Sequence, residues 1–415
     1  MTTDTAASPS AATAGLRRED AARLLRQARR LPSLRAKYAD QPDAADFGPD
    51  QWDGLPALDK AELNTALDEL RSLPGKSRTG AYFYASGGTM AAPRLSLIPG
   101  DMFVADILAV WAPLDPDDVL VNLFTPGRLW SAHYFYNALA TASGAAVIPF
   151  GAMGDDEIDQ WLDFFEAQGA TALAATPTTI KQILGHCSVT GRTLPGVRKI
   201  LWVGEAFDAR TEELIEDRLP QAEIWGLYGS TETWVIGWNG PNCPRDTFHP
   251  LPYQHVELAQ DDAILVSNTH EDCVNPLLRY RVGDLGELTG CRCGGQGPAL
   301  RVLGRADSYF KFLNQLISPE ELIAIAKELD DVADAQIVLV APGGDQERLQ
   351  VRVRPTAAPR PNLRERARQQ VLSRHFELGY VVADAPHTVE VVVVPQLSSV
   401  ARTAKTPLLI VEPAP

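Results

Sequence analysis

Four short apolar runs constrain this chain more than any other feature: DVLVNLF (118–124), GAAVIPF (144–150), ATALAAT (170–176) and VRKILWVG (197–204). Runs of this length bounded by turn residues suit strands covered on both faces, and amphipathic stretches lie between them. Strand and helix alternating in this way is the mark of a parallel sheet, because parallel neighbours need a crossover that packs back onto the sheet. Residues 80 to 305 are therefore expected to form an α/β fold with parallel sheets. No repeat of solenoid period interrupts the pattern.

After Gly304 the texture changes. SPEELIAIAKEL (318–329) opens with Ser318 at an N-cap, Pro319 at the first helical position and acids in the first turn. ADAQIVLVA and ERLQVRVRP follow as alternating strands across PGGDQ, then a helix in PNLRERARQQVLSRHF and the strand VEVVVVP. The expected division is a disordered leader (1–15), a large N-terminal domain (16–304) with parallel sheets and a β-region, and a small α+β C-terminal domain (305–415). Residues 16–38 read as one surface helix with a basic polar face.

At 415 residues, with 45% hydrophobic and 22% charged, the composition is that of a soluble globular protein. The net charge of −15 argues against a phosphate-backbone binder, so no nucleic-acid partner is expected. No run of about 18 apolar residues is present, so neither is a membrane span. The Ala/Ser/Thr-rich start lacks a basic and an apolar signal region. Five cysteines, an odd number, suggest a reducing compartment where thiols stay free or hold metal, with the cytoplasm as the expected location.

The chemistry-bearing motifs follow the strand pattern. YASGGTMAAPR (84–94) gathers Ser86, Gly87, Gly88 and Thr89, whose backbone N–H groups and hydroxyls can surround a phosphate, with Arg94 as a positive charge. In WGLYGSTE (225–232), Tyr228 could stack on a base, Thr231 meet a phosphate and Glu232 offer a hard oxygen to Mg²⁺. In RYRVGD (279–284), Asp284 after a tight glycine turn can accept both ribose hydroxyls. GRADSYFK (304–311) and RTAK (402–405) complete the set. Each motif by itself is equally compatible with an ordinary loop.

Taken in this order, the motifs resemble those of the acyl-adenylate-forming superfamily, and the chain is most similar to its short phenylacetate-CoA ligase branch. GLPALDKAEL (54–63), ATPTTI (175–180), VGEAF (203–207) and NPLLRYRVGD (275–284) add to the resemblance, which runs from about residue 20 to 410. It implies ATP-dependent activation of a small carboxylic acid as its acyl-AMP, then transfer to a thiol of CoA or phosphopantetheine, with release of AMP and pyrophosphate. It further implies that Ser86, Gly88 and Thr89 hold phosphate and that Gly204, Glu205 and Ala206 line one face of adenine, with Tyr228 near the other. Thr231 and Glu232 would meet the α-phosphate and magnesium, and Asp284 and Arg305 the ribose. Asp307 would be the hinge of a mobile C-terminal domain, and Lys405 the lysine that brings carboxylate and α-phosphate together.

The chain departs from the family pattern at Met90, Ala91, Ala92 and Arg94 in the phosphate loop, at Asn314 where a glycine is usual, and at Ala404 before the lysine. These changes bear more on the thiol step than on adenylation. They leave open an acyl-AMP ligase that loads a carrier protein or a protein cysteine, and a non-catalytic nucleotide-binding homologue. A homodimer also stays open.

Two further groups stand out. Cys243, His249, Cys291 and Cys293 offer three thiols and an imidazole, a set suited to a closed, structural tetrahedral Zn²⁺ site; free thiols are the alternative. Cys273 reads as core, and His186 and Cys187 as incidental. In PGRLWSAHYFYNAL (126–139), His133, Tyr134 and Tyr136 are candidates for an acyl pocket suited to a flat aromatic acid, the alternative being core residues at helical spacing.

Overall fold

The computed structural model of the chain describes residues 15–73, 80–86, 94–127, 129–207, 209–295, 297–305, 310–312, 315–342, 347–357, 359–375, 378, 387–400 and 405–413. Two compact units result, one running to Arg305 and one made chiefly of Ala306–Pro415.

The larger unit begins with α1 (Arg18–Ala28), α2 (Pro32–Lys37), α3 (Pro49–Trp52) and α4 (Lys60–Ser72). The single helix expected over 16–38 is thus two. Pro32 cannot donate a helical hydrogen bond and sits at the start of α2, so the first helix ends before it. Nor does α1 only cover the surface, since Ala21, Leu24, Leu25 and Ala28 are buried in one core with Tyr38, Trp52, Leu58 and Val266. The N-cap of α4 is Asp59, whose side chain accepts from Glu62 N while Glu62 reaches back to Asp59 N, a reciprocal capping box.

A hairpin of β1 (Ala81–Ser86) and β2 (Arg94–Pro99) follows, then α5 (Val104–Leu108). The four apolar runs form β3 (Val119–Asn122), β4 (Ala146–Ile148), β5 (Ala172–Ala175) and β6 (Lys199–Val203), joined by α6 (Ala132–Ala142), α7 (Ile158–Ala167) and α8 (Pro177–Thr190). After α9 (Ala209–Arg218) comes β7 (Glu223–Ser230). The pairs β3–β4, β3–β5, β5–β6 and β6–β7 are all parallel. Every residue of β5 is buried, as a strand covered on both faces requires.

From β8 (Trp234–Asn239) the pairing is antiparallel, through β9 (Thr247–Pro250), β10 (Gln254–Leu258), β11 (Ala263–Asn268), β12 (Tyr280–Thr289) and β13 (Ala299–Arg305). The parallel strands and the β-region join edge to edge in one 11-stranded sheet, ordered β10-β11-β12-β13-β9-β8-β7-β6-β5-β3-β4. The GLPALDKAEL segment is tied to β12: Leu58 N donates to Arg279 O, and Arg281 N donates to Leu58 O.

The smaller unit has a short hairpin, β14 (Phe310–Phe312) with β15 (Gln315–Ile317), and α10 (Pro319–Lys327). Ser318 Oγ caps α10 by accepting from Glu321 N at 3.3 Å. Then come β16 (Val332–Val340), β17 (Arg348–Pro355), α11 (Leu363–Arg374), β18 (Val389–Val393) and β19 (Leu409–Glu412), in a four-stranded sheet ordered β18-β17-β16-β19. Leu349, Val351 and Val353 alternate into its core and meet Leu363, Ala367 and Val371, which share one face of α11. The strand β19 is an addition to the sequence reading, and Lys405 lies just before it.

Candidate active site

In an open α/β sheet, ligands gather outside the carboxyl ends of the parallel strands. Here β6 runs into Gly204, at φ +92°, and then Glu205 and Ala206. The Glu205 Oε2 accepts from Thr178 N at 3.0 Å, while its Oε1 is buried with no partner among the described residues. Next to it, β7 ends in Tyr228, Gly229 and Ser230 and turns at Thr231–Thr233. The turn is knitted by Ser230 N donating to Thr233 Oγ1 (3.1 Å) and Thr233 N donating to Ser230 Oγ (3.2 Å). Glu232 is buried within it.

Tyr228 Oη donates to Asp284 Oδ2 at 2.5 Å, and Arg305 Nη1 lies 3.3 Å from Asp284 Oδ1. Burial first, then the Asp284 charge, pushes the Tyr228 hydroxyl well above its ordinary pKa, so it stays a donor. Asp284 and Arg305 are register partners across β12 and β13. Tyr228 comes from β7, four places away in the sheet order. In a flat sheet that is a separation of about 19 Å, beyond the reach of a tyrosine. The sheet must therefore fold over between them. Between them, β9 shares only two register pairs with β8 and two with β13.

Asp284 does not follow a tight turn, as the sequence reading had it. It lies within β12, and Gly283 at φ +89° is an irregularity inside the strand. A Cβ at Gly283 would come within 2.9 Å of the Arg305 guanidinium, so glycine is what lets Arg305 lie against β12.

A family model described as AMP-binding enzyme matches residues 6–270. The chain belongs to that family. Indoleacetate–lysine synthetase of Pseudomonas savastanoi is 27% identical over 206 residues, covering 49% of this chain and 50% of that protein. The match thus spans about half the length of that relative. Among solved structures, 2-hydroxyisobutyryl-CoA ligase in the postadenylation state with its acyl-AMP superposes with a TM-score of 0.70 at 18% identity, covering 95% of this chain and 88% of that one. An anthranilate CoA ligase with anthranoyl-AMP gives a TM-score of 0.57 at 15% identity, covering 79% and 66%.

Placed in this AMP-binding enzyme, the remaining sequence candidates separate. Ser86 ends β1 and pairs in register with Arg94, so the hairpin holds both ends of the segment expected to bind phosphate, while Gly88 and Thr89 lie outside the described residues. Asp307 also lies outside them, and Lys405 belongs to the smaller unit. On α6, His133 is buried with Nδ1 2.6 Å from Phe124 O. Tyr136 is wholly buried, and its hydroxyl donates to Trp202 O at 3.3 Å, so it packs as core. Tyr134 is 41% exposed and approaches Tyr84, which stacks on Trp234 with centroids 6.0 Å apart. Trp234 was not singled out in the sequence. Its φ of +63° is rare for a bulky residue, and its indole donates to Met102 O at 3.0 Å.

The four metal candidates converge. One ligand atom from each of Cys243, His249, Cys291 and Cys293 lies within 4.8 Å of all the others. His249 Nε2 is 3.7 Å from Cys243 Sγ and 3.2 Å from Cys293 Sγ. Tetrahedral zinc with sulfur at about 2.3 Å separates its ligands by about 3.8 Å, so this set fits the ion. Burial lowers the His249 pKa, favouring the neutral imidazole a metal needs, and raises the Cys243 thiol to about 12. A Cβ at Gly295 would meet the His249 ring at 2.8 Å, so glycine there lets the Cys291–Cys293 loop close over β9. Cys273 is half-buried against two hydrophobic cores, and Cys187 is fully buried in a third.

Proposed function

We propose that this protein activates a small aromatic carboxylic acid as its acyl-adenylate and then transfers the acyl group to a thiol. The supporting observation is the meeting of Tyr228, Asp284 and Arg305, brought together from segments far apart in sequence. A polar floor of this kind, beside the glycine-bounded end of β6, suits a nucleoside: Asp284 and Arg305 for the ribose hydroxyls, Tyr228 and the Gly204–Ala206 segment for the base. The unpartnered Glu205 Oε1 would suit an amino group on that base.

In the first step a carboxylate oxygen attacks the α-phosphorus of ATP, the bond to the β-phosphate bridge breaks, and pyrophosphate leaves. Attack of one anion on another needs charge to be offset and the groups held in line. Thr231 and the loop bearing Gly88 and Thr89 would bind phosphate oxygens, and Lys405 would draw carboxylate and α-phosphate together. Glu232 would supply a carboxylate to Mg²⁺, which usually binds through one or two carboxylates alongside substrate phosphates, and the ion would offset phosphate charge there. In the second step a thiolate attacks the acyl carbon and AMP leaves, the small domain having turned at Asp307 to withdraw the lysine.

The aromatic acid is supported by the wall of Tyr84, Trp234, Tyr134 and His133, and by a relative named for indoleacetate. That same relative supports a second reading, in which an amine takes the place of the thiol. Cys243, His249, Cys291 and Cys293 would hold zinc as a structural clip, since all four positions are protein ligands.

ATP–pyrophosphate exchange across aryl, arylacetic and short hydroxylated aliphatic acids tests the first step. Exchange with an aryl acid is expected, to be lost in Lys405→Ala while ATP still binds; no exchange with any acid would sink the reading. Offering CoA, free amines and carrier proteins to the preformed adenylate separates the acceptors. Protein purified without chelator is expected to carry about one zinc per chain, and less than about a tenth would refute the clip.

A further inference from the structure

Two buried carboxamides reach the turn that presents Thr231 and Glu232, each from a different part of the β-region. Asn275, 6% exposed and between β11 and β12, donates from Nδ2 to Glu232 O at 3.2 Å. Gln254, 2% exposed and first in β10, donates from Nε2 to Thr233 O at 3.0 Å and to Val235 O at 2.8 Å. Three carbonyls of the turn and its exit are thus fixed from outside it. Between them lies Trp234, whose left-handed backbone persists only if its surroundings over-determine it. The carboxamides supply that constraint.

Asn275 has a second partner. Its Oδ1 accepts from Leu97 N at 3.2 Å, on the strand that leads away from the phosphate loop. One side chain therefore ties β2 to the backbone of Glu232. From this geometry, and resting on the adenylation reading above, we infer that Asn275 and Gln254 are positioning residues that hold the Glu232 carboxylate in place for the Mg²⁺–triphosphate. Neither side chain is assigned any contact with substrate. The expected consequence of losing them is misplacement of Glu232, with no loss of nucleotide-base or acid recognition.

Gln254 separates this role from a merely structural one. Its Oε1 is buried with no partner among the described residues. Gln254→Met keeps the length of the side chain and removes both donors along with that unsatisfied acceptor; it leaves Thr233 O and Val235 O without this donor, so a modest loss of global stability is expected beside the local effect. Asn275→Asp keeps an acceptor for Leu97 N and turns an oxygen toward Glu232 O in place of a donor.

In both variants kcat for pyrophosphate exchange should fall between about tenfold and about a hundredfold, the loss expected for a misplacement near 1 Å. More Mg²⁺ should be needed for half-maximal rate, and KM for the acid should stay the same. In the ligand-free protein, amides 230–236 should exchange hydrogen faster while β5 and β6 keep wild-type protection. Unchanged exchange at 230–236, or an unchanged kcat and Mg²⁺ requirement with only a lower melting temperature, would overturn the inference. Should Asn275→Asp fail to fold, Gln254→Met decides it. If the wild type shows no adenylation with any acid, the functional reading fails, and the ligand-free exchange still decides whether these side chains hold the turn.

Discussion

At the amino-terminal ends of β3, β5 and β6, Asp118 is 1% exposed and is fully engaged: Lys199 Nζ donates to it at 2.6 Å, Thr171 Oγ1 at 2.7 Å and Asp115 N at 3.0 Å. At the carboxyl ends the same sheet runs into Gly204, a Glu205 oxygen without a partner among the described residues, and a turn held from behind by two carboxamides. One end closes its polar groups on one another, and the other leaves an acceptor unmatched among the described residues. Strand polarity accounts for where the open end lies, because the loops that leave parallel strands are the ones free to vary around a ligand. The closed end locks the strands in place; the open end is where chemistry can be placed.

The contrast can be broken from either side. Asp118→Ala should have the largest effect, about 2–3 kcal/mol of stability, because it removes the buried acceptor of Lys199, Thr171 and the Asp115 amide and leaves Lys199 paired only with the exposed Asp115. Activity per folded molecule should be unchanged, and chemical denaturation with pyrophosphate exchange on the folded fraction checks both. Burial alone would raise the Asp118 pKa, but Lys199, the Asp115 amide and Thr171 together hold it below the ordinary carboxylate range. That contribution is complete above the unfolded-state pKa and fades as pH falls through the folded value. Denaturation curves measured from neutral pH down into the acid range should therefore show wild type and Asp118→Asn converging in acid. At the open end, Tyr228→Phe should be the smaller change. It removes one hydrogen bond to Asp284, worth about 1 kcal/mol, and should raise KM for ATP roughly fivefold with no loss of stability beyond that figure. A large fall in stability with unchanged KM would show that the tyrosine belongs to the closed, structural class.

Much of the frame was legible in the sequence. The four apolar runs between residues 118 and 204 are β3 to β6, in the parallel pairing expected of them. Ser318 and Pro319 start α10 where the cap pattern places it. The Cys-x-Cys at 291–293 meets the earlier Cys243 and His249 in space, a grouping legible because few residue types can bind a soft ion and the chain has few of them. Other features left no such mark. Pro32 was in view, yet helical spacing on both sides of it masked the break. The strand β19 is only four residues long, too short for its alternation to register. Gln254 lies in an unremarkable strand, and Asn275 precedes a proline as many loop residues do.

What the sequence determined by itself is local: where strands and helices begin, which faces are apolar, and which glycine and hydroxyl clusters can approach a phosphate. Those depend on neighbouring residues, whose spacing records backbone geometry and burial. Tertiary structure decided the rest. The folding of the sheet sets Tyr228 against Asp284, 56 residues later, and Asn275 against Glu232, 43 residues earlier. Contacts at such separations follow from how the whole sheet curves and packs, and no short stretch of sequence carries that information.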